Sequence, residues 1–268
     1  MTDDSLRERV RSAQYDLTIR LLSNGARAEQ LLTLVDNTRT FTLELMRAIA
    51  QQAAPLACQV GCHFCCSLMA TVSAPEALAI VLRLRETCSQ PGLEDIQQKV
   101  AQAFRQTRVL DNLSRIRARI PCPFLVEQGI CLIYAYRPLD CVTYHSLSRP
   151  ACEELLSRPE RGHPVNTSLQ AISLGLKTGL GQGIATANLE HPALRYELIE
   201  AMQIGLNDKQ ALKKYLSGQN LFEPAAIIID SDQGLCYKIK HAPPSLKAEA
   251  KRVITSERRA ARRASQKM

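Results

Sequence analysis

The sequence predicts a mainly α-helical protein built around a small, irregular, cysteine-rich centre. Three observations carry that prediction. Long stretches rich in Leu, Ala, Arg, Gln and Glu run with few helix breakers. Apolar residues recur within them at helical spacing. One region, 121–141, departs from this, with Pro, Gly and Cys interrupting it every few residues. At 268 residues the chain suits one large domain or two small ones, and 46% hydrophobic with 22% charged residues is ordinary for a globular protein. No Trp and only 4% aromatic residues leave the core to Leu, Ile, Val and Ala.

Residues 3–54 read as helical, broken at Asn24-Gly25. Leu31, Leu32, Leu34 and Val35 suit one buried face; Phe41, Leu43, Leu45, Met46 and Ile49 suit another. Asp36 or Asn37 is the expected cap of the second helix. Pro55 stops the pattern. Ser73-Ala-Pro-Glu76 has the form of a capping box with Pro in the first turn, and a helix follows to about Cys88. Pro91-Gly92 reads as a turn, and 93–118 as one more polar helix. From Pro121 to Cys141 the chain reads as irregular, with short extended pieces near 124–126 and 131–134. Helix returns over 166–218, with breaks expected at Gly179–Gly183, His191-Pro192 and Asn207-Asp208. Ile227–Ile229 and Leu235–Ile239 suit minor strands. The organisation this implies is an N-terminal helical segment (1–54), a cysteine-cluster region (55–155), a C-terminal helical region packed on the same domain (156–243) and a basic tail (244–268).

The net charge of +8 is concentrated in that tail: residues 247–268 hold eight Lys/Arg against two Asp/Glu. The remainder is close to neutral, which argues against a domain-wide nucleic-acid footprint. Arg258-Arg259 and Arg262-Arg263, four apart, would form a cationic stripe on a helix and contact RNA or an acidic surface; the simpler reading is a solvated terminus. The N-terminal residues lack the form of a secretory signal, and no apolar run nears the ~20 residues of a membrane span. A cytoplasmic protein is expected. In a reducing compartment clustered cysteines are ligands or catalytic groups more often than disulfides.

Four of the ten cysteines, Cys58, Cys62, Cys65 and Cys66, fall within nine residues, and Cys122, Cys131, Cys141 and Cys152 follow. That density exceeds what packing requires, whereas Cys88 and Cys236 are isolated and read as packing residues. Thiolates are soft ligands for zinc, copper(I) or iron–sulfur clusters. Spacings of four and three place Cys58, Cys62 and Cys65 on one side of a turn, which Gly61 helps to tighten. The neighbours Cys65 and Cys66 do not readily share one tetrahedral ion. Eight thiolates would complete two four-coordinate zinc sites, or one or two iron–sulfur clusters, and spacing does not choose between them.

The Cys58-x-x-x-Cys62-x-x-Cys65-Cys66 pattern, followed by Cys122-Pro-Phe-Leu, Gly129-x-Cys131-x-Ile133-Tyr134 and Arg137-Pro138-x-x-Cys141, resembles the CxxxCxxCC cysteine-cluster family described as a zinc- or iron-chelating domain (YkgJ-type). The resemblance covers roughly residues 55–155 and implies metal binding and little more; it names no reaction. The leading expectation is a thiolate metal site built from Cys58, Cys62, Cys65, Cys66, Cys122, Cys131 and Cys141, joined by Cys152. Family members commonly continue Cys-Arg-x-Phe where this chain has Cys141-Val-Thr-Tyr144. Cys58, Cys62 and Cys65, with Phe64 before the last, also fit the three-cysteine pattern of radical S-adenosylmethionine enzymes, which hold a 4Fe–4S cluster. That pattern should follow a strand and open an alternating βα chain, and neither is present. Flagellin lysine methylases are similar to the CxxxCxxCC family, so an Fe–S or iron-dependent enzyme modifying a protein or small molecule, using S-adenosylmethionine, is the competing expectation to a zinc- or iron-binding protein. An RNA-associated module stapled by a structural metal is the third.

His63 and His145 are further candidate ligands, although each is more simply a loop residue. Gly179-Leu-Gly-Gln-Gly183 lacks the spacing and preceding strand of a phosphate loop and reads as a helix break.

Overall fold

The protein was analysed as a computed structural model, which describes residues 3–23, 27–50, 56–59, 61–159, 167–186, 195–230, 235–238, 241–242, 244–245 and 247–248. Asn24-Gly25, Pro55, His191-Pro192 and the tail from 249 onward, with its paired arginines, lie outside the described residues. The architecture is mainly helical, as expected. Helices α1 (Asp3–Leu22), α2 (Ala28–Ala50), α3 (Ala74–Thr87), α4 (Gln90–Thr107), α5 (Asn112–Ala118), α6 (Leu139–Thr143), α7 (Arg149–Ser157), α8 (Thr167–Thr186), α9 (Leu198–Asn207) and α10 (Ala211–Leu216) follow in order. Two small antiparallel ladders join them. β1 (Thr71–Val72) pairs with β2 (Tyr196–Glu197), and β3 (Ile227–Asp230) with β4 (Leu235–Lys238).

One buried apolar cluster draws on both ends of the chain, including Leu31 and Leu34 of α2, Leu78, Val81 and Leu84 of α3, Leu176 and Leu180 of α8, and Met202 of α9. The capping box closes as expected: Ser73 accepts from the Glu76 N–H, and the Glu76 carboxylate accepts from the Ser73 N–H at 2.7 Å.

Four expectations need correction. Asp36 caps nothing, because α2 runs unbroken through it; its carboxylate instead meets Arg83 of α3 at 2.5 Å. Pro91-Gly92 is no free-standing turn but the first turn of α4, where Ser89 is the cap and Pro lacks only an N–H that would have no helical partner. The helix expected over 93–118 is two, because the Asp111 side chain accepts from the Ser114 N–H at 2.7 Å and starts α5 afresh.

The fourth concerns Gly179–Gly183, where α8 continues without a break. Gly175, Gly179 and Gly183, four apart, lie against Arg7, Arg11 and Thr18 of α1: a Cβ at Gly179 would fall 2.2 Å from the Arg11 carbonyl oxygen. These glycines permit a backbone-to-backbone approach that no side chain would allow. The N-terminal helix is thereby seated on the C-terminal half. No helix among the described residues is long and apolar enough to cross a membrane.

Candidate metal centre

Two tight turns bring the first cysteine segment onto the second. Gly61 and Gly129 both have positive φ, 83° and 76°, and a Cβ on Gly129 would sit 2.7 Å from the Gly61 carbonyl oxygen. The loops touch there. Backbone bonds extend the contact: the Cys122 N–H donates to the Cys66 carbonyl at 2.8 Å, and Leu125 pairs with Cys131 in an antiparallel bridge around the Glu127–Gly129 turn. Cys65 and Cys66 lie on a short 3-10 turn, Phe64–Ser67, against which α7 packs.

The thiols form two neighbouring groups. Cys58, Cys62 and Cys152 lie within electrostatic reach of one another and of Cys65. Ser146 ties this group together: its N–H points at the Cys58 sulfur at 3.5 Å, its carbonyl accepts from Ala57 at 2.9 Å, and its hydroxyl bonds Cys152. The second group is Cys66, Cys122, Cys131 and Cys141, again beside Cys65. All nine cysteines with described side chains are free thiols. Cys88 stands apart at the end of α3, packed against the core.

Crowding and burial shape the acidities. Burial pushes the Cys122 thiol up to about 12 and raises those of Cys58, Cys131, Cys141 and Cys152. Cys65 is the exception. A hydrogen bond from Cys66 brings it down to about 7 against the cost of burial, with help from Arg137, and Cys66 rises in consequence. Burial raises Tyr144 too, followed by the proximity of Cys65, Cys152 and Cys58, so this tyrosine borders the first group.

The donor chemistry fits a soft metal, but convergence is incomplete. Among the described residues, no three His, Cys, Asp or Glu side chains come close enough to hold one ion. His63 stacks on Phe64, exposed, with its Nδ1 3.2 Å from the Gly61 carbonyl. His145 donates from Nε2 to the Val142 carbonyl at 2.8 Å, which leaves Nδ1 a buried acceptor without a hydrogen-bond partner among the described residues.

Several residues that position the centre are not legible as such in the sequence. Asp140, beside Cys141, accepts from the Thr71 N–H at 2.8 Å and pairs with Lys177 of α8 and with Arg195 at 3.5 Å. Glu76 does more than close its capping box: Oε1 accepts from the Leu139 N–H at 2.7 Å and Oε2 meets Arg195 at 2.8 Å. Together they fix the start of α6, and with it Cys141. Beneath Cys122 lies a second buried network. Arg115 meets Glu197 at 3.0 Å, Lys238 meets Glu200 at 2.9 Å, and Glu197 caps α9. The sequence signal for both networks is the same, charged residues set among apolar ones (Glu197 and Glu200 flanking Leu198-Ile199), but it does not reveal the partners.

Compared with protein-family models, curated proteins and solved structures, the chain matches none of them.

Proposed function

We propose that this chain is a metal-binding protein that coordinates zinc or iron, the iron as single ions or an iron–sulfur cluster, through thiolates of Cys58, Cys62, Cys65, Cys66, Cys122, Cys131, Cys141 and Cys152. One observation carries the reading: free thiols from three separate segments, Cys58 and Cys66, Cys131 and Cys141, and Cys152, lie within electrostatic reach of Cys65, with Cys62 and Cys122 beside members of that set, while Cys88 stays outside. Bound metal supplies a positive charge that keeps crowded thiolates deprotonated. The chain's own part is to gather the sulfurs. Gly61 and Gly129 allow the loops to meet, Ser146 orients Cys58 and Cys152, and Asp140 and Glu76 fix Cys141. The CxxxCxxCC resemblance and a cytoplasmic, reducing location belong to the same proposal.

Anaerobic purification with metal analysis and a visible spectrum tests this. Brown protein with iron and acid-labile sulfide removes the zinc reading; colourless protein with about two zinc ions removes the cluster. Protein that takes up neither metal sinks both. Cys62→Ser is expected to lower metal content, and Cys88→Ser to leave it unchanged.

A further inference from the structure

A small cleft lies between α2 and the segment leading into α6. It is narrow and partly open to solvent. Its floor and walls are apolar: Leu34, Leu139 and Leu180 are almost fully buried, and Val35 and Tyr136 flank them. Into this apolar setting project two cations, Arg39 from α2 and Arg137 from the cysteine-rich segment. Both Nε atoms are buried, and neither has a hydrogen-bond partner among the described residues. The guanidinium of Arg137 lies over the Tyr134 ring at 4.3 Å.

The carboxylates nearby are already engaged. Glu76, the acidic residue lining the cleft, is committed to Ser73, the Leu139 N–H and Arg195. Asp36, one turn before Arg39, is paired with Arg83. Burial, followed by the neighbouring Arg137, lowers the Arg39 pKa against the opposing pull of Asp36 and Tyr134, so the two cations disfavour one another. Two like charges beside buried, unpaired N–H groups are unfavourable in isolation and become favourable around a shared anion. Planar guanidinium groups are suited to an oxyanion, which each can grip through two parallel N–H bonds.

We propose that Arg39 and Arg137 form a binding site for a small oxyanion, a carboxylate or a phosphate. The site does not depend on metal in the cysteine centre. Arg137 nevertheless connects the two, because the same cation acts on Cys65 and Cys131.

Isothermal titration calorimetry of the full-length protein with butyrate and, separately, with inorganic phosphate tests the site. Saturable binding that weakens with salt is expected for at least one of them. Arg39→Gln and Arg137→Gln are each expected to weaken it about tenfold or more. Arg39→Lys, which keeps the charge but loses the fork, is expected to weaken it by a smaller factor. Tighter binding of butyrate identifies a carboxylate; tighter binding of phosphate identifies a phosphate. Metal content unchanged in Arg39→Gln separates loss of this site from collapse of the cysteine centre. If Arg137→Gln fails to fold, Arg39→Gln on the long α2 helix carries the test. Absence of saturable binding of either anion by the wild-type protein, or equal affinity in the wild type and Arg39→Gln, overturns the proposal.

Discussion

Single residues differ in consequence according to how completely their charges are withdrawn from water. Glu197 is fully buried, faces both Arg115 and Lys238, and caps α9 through the Ile199 and Glu200 N–H groups. Removing its charge takes from Arg115 the carboxylate it meets and leaves Lys238 with Glu200. Glu197→Gln is therefore expected to destabilise the fold by about 3–5 kcal/mol, the range for breaking one partner of a buried pair. Glu154, paired with Arg158 at 3.5 Å, is the contrasting case, since both side chains are about half exposed. Glu154→Gln should change stability by no more than about 1 kcal/mol. Urea denaturation of the two variants decides the matter; similar midpoints would show that the buried network contributes nothing beyond packing. The inequality between these glutamates cannot be read from the sequence. Each is a Glu a few residues from a basic or apolar neighbour, and only tertiary placement separates them.

At the scale of elements, the seam between α1 and α8 turns on competing magnitudes. Replacing a mid-helix glycine with alanine ordinarily stabilises a helix by about 1 kcal/mol. At Gly179 the added methyl would meet the Arg11 carbonyl at 2.2 Å and the Gln14 Cβ at 2.9 Å. Relieving that overlap requires α1 to move off the core, at a cost of about 1–3 kcal/mol or more. The steric cost exceeds the propensity gain, so Gly179→Ala is expected to lower the melting temperature. A rise would mean that the two helices are not closely seated. Composition makes the helices themselves legible, as do the capping box at Ser73 and the strands near 227 and 235. The role of the glycines is not, because Gly-x-Gly-x-Gly has one appearance whether it ends a helix or admits another. The short helices α6 and α7 escape detection for a related reason. Each is brief, and the Pro and Cys residues in and around them match the irregular segment before them, while the contacts that stabilise α6 come from distant Glu76, Arg195 and Ser173.

For the whole molecule, the cysteine centre is where distant segments are fastened. It joins 58–66 to 122–141 and 148–157, and through Asp140 and Lys177 it reaches α8, on which α1 is seated. The density and spacing of the cysteines mark the segments that meet there, and Cys88 stands apart from them. Their division into two groups around Cys65, and the cations beside them, follow from loop geometry that no local pattern encodes. On the metal-binding reading, a ligand held by the native chain and not by the unfolded one adds stability according to its free concentration over Kd, about 2.7 kcal/mol at a hundredfold excess. In a chain of 268 residues that corresponds to roughly 5–10 °C in melting temperature. Stripping the protein with a chelator under reducing conditions should therefore lower the melting temperature by several degrees, and restoring the metal should recover it. Cys62→Ser should reduce this response, whereas Cys88→Ser should retain it in full. A melting temperature unmoved while bound metal is demonstrably lost would mean that the helices hold the loops together unaided. The centre would then be a site carried by the fold, with no part in fastening it.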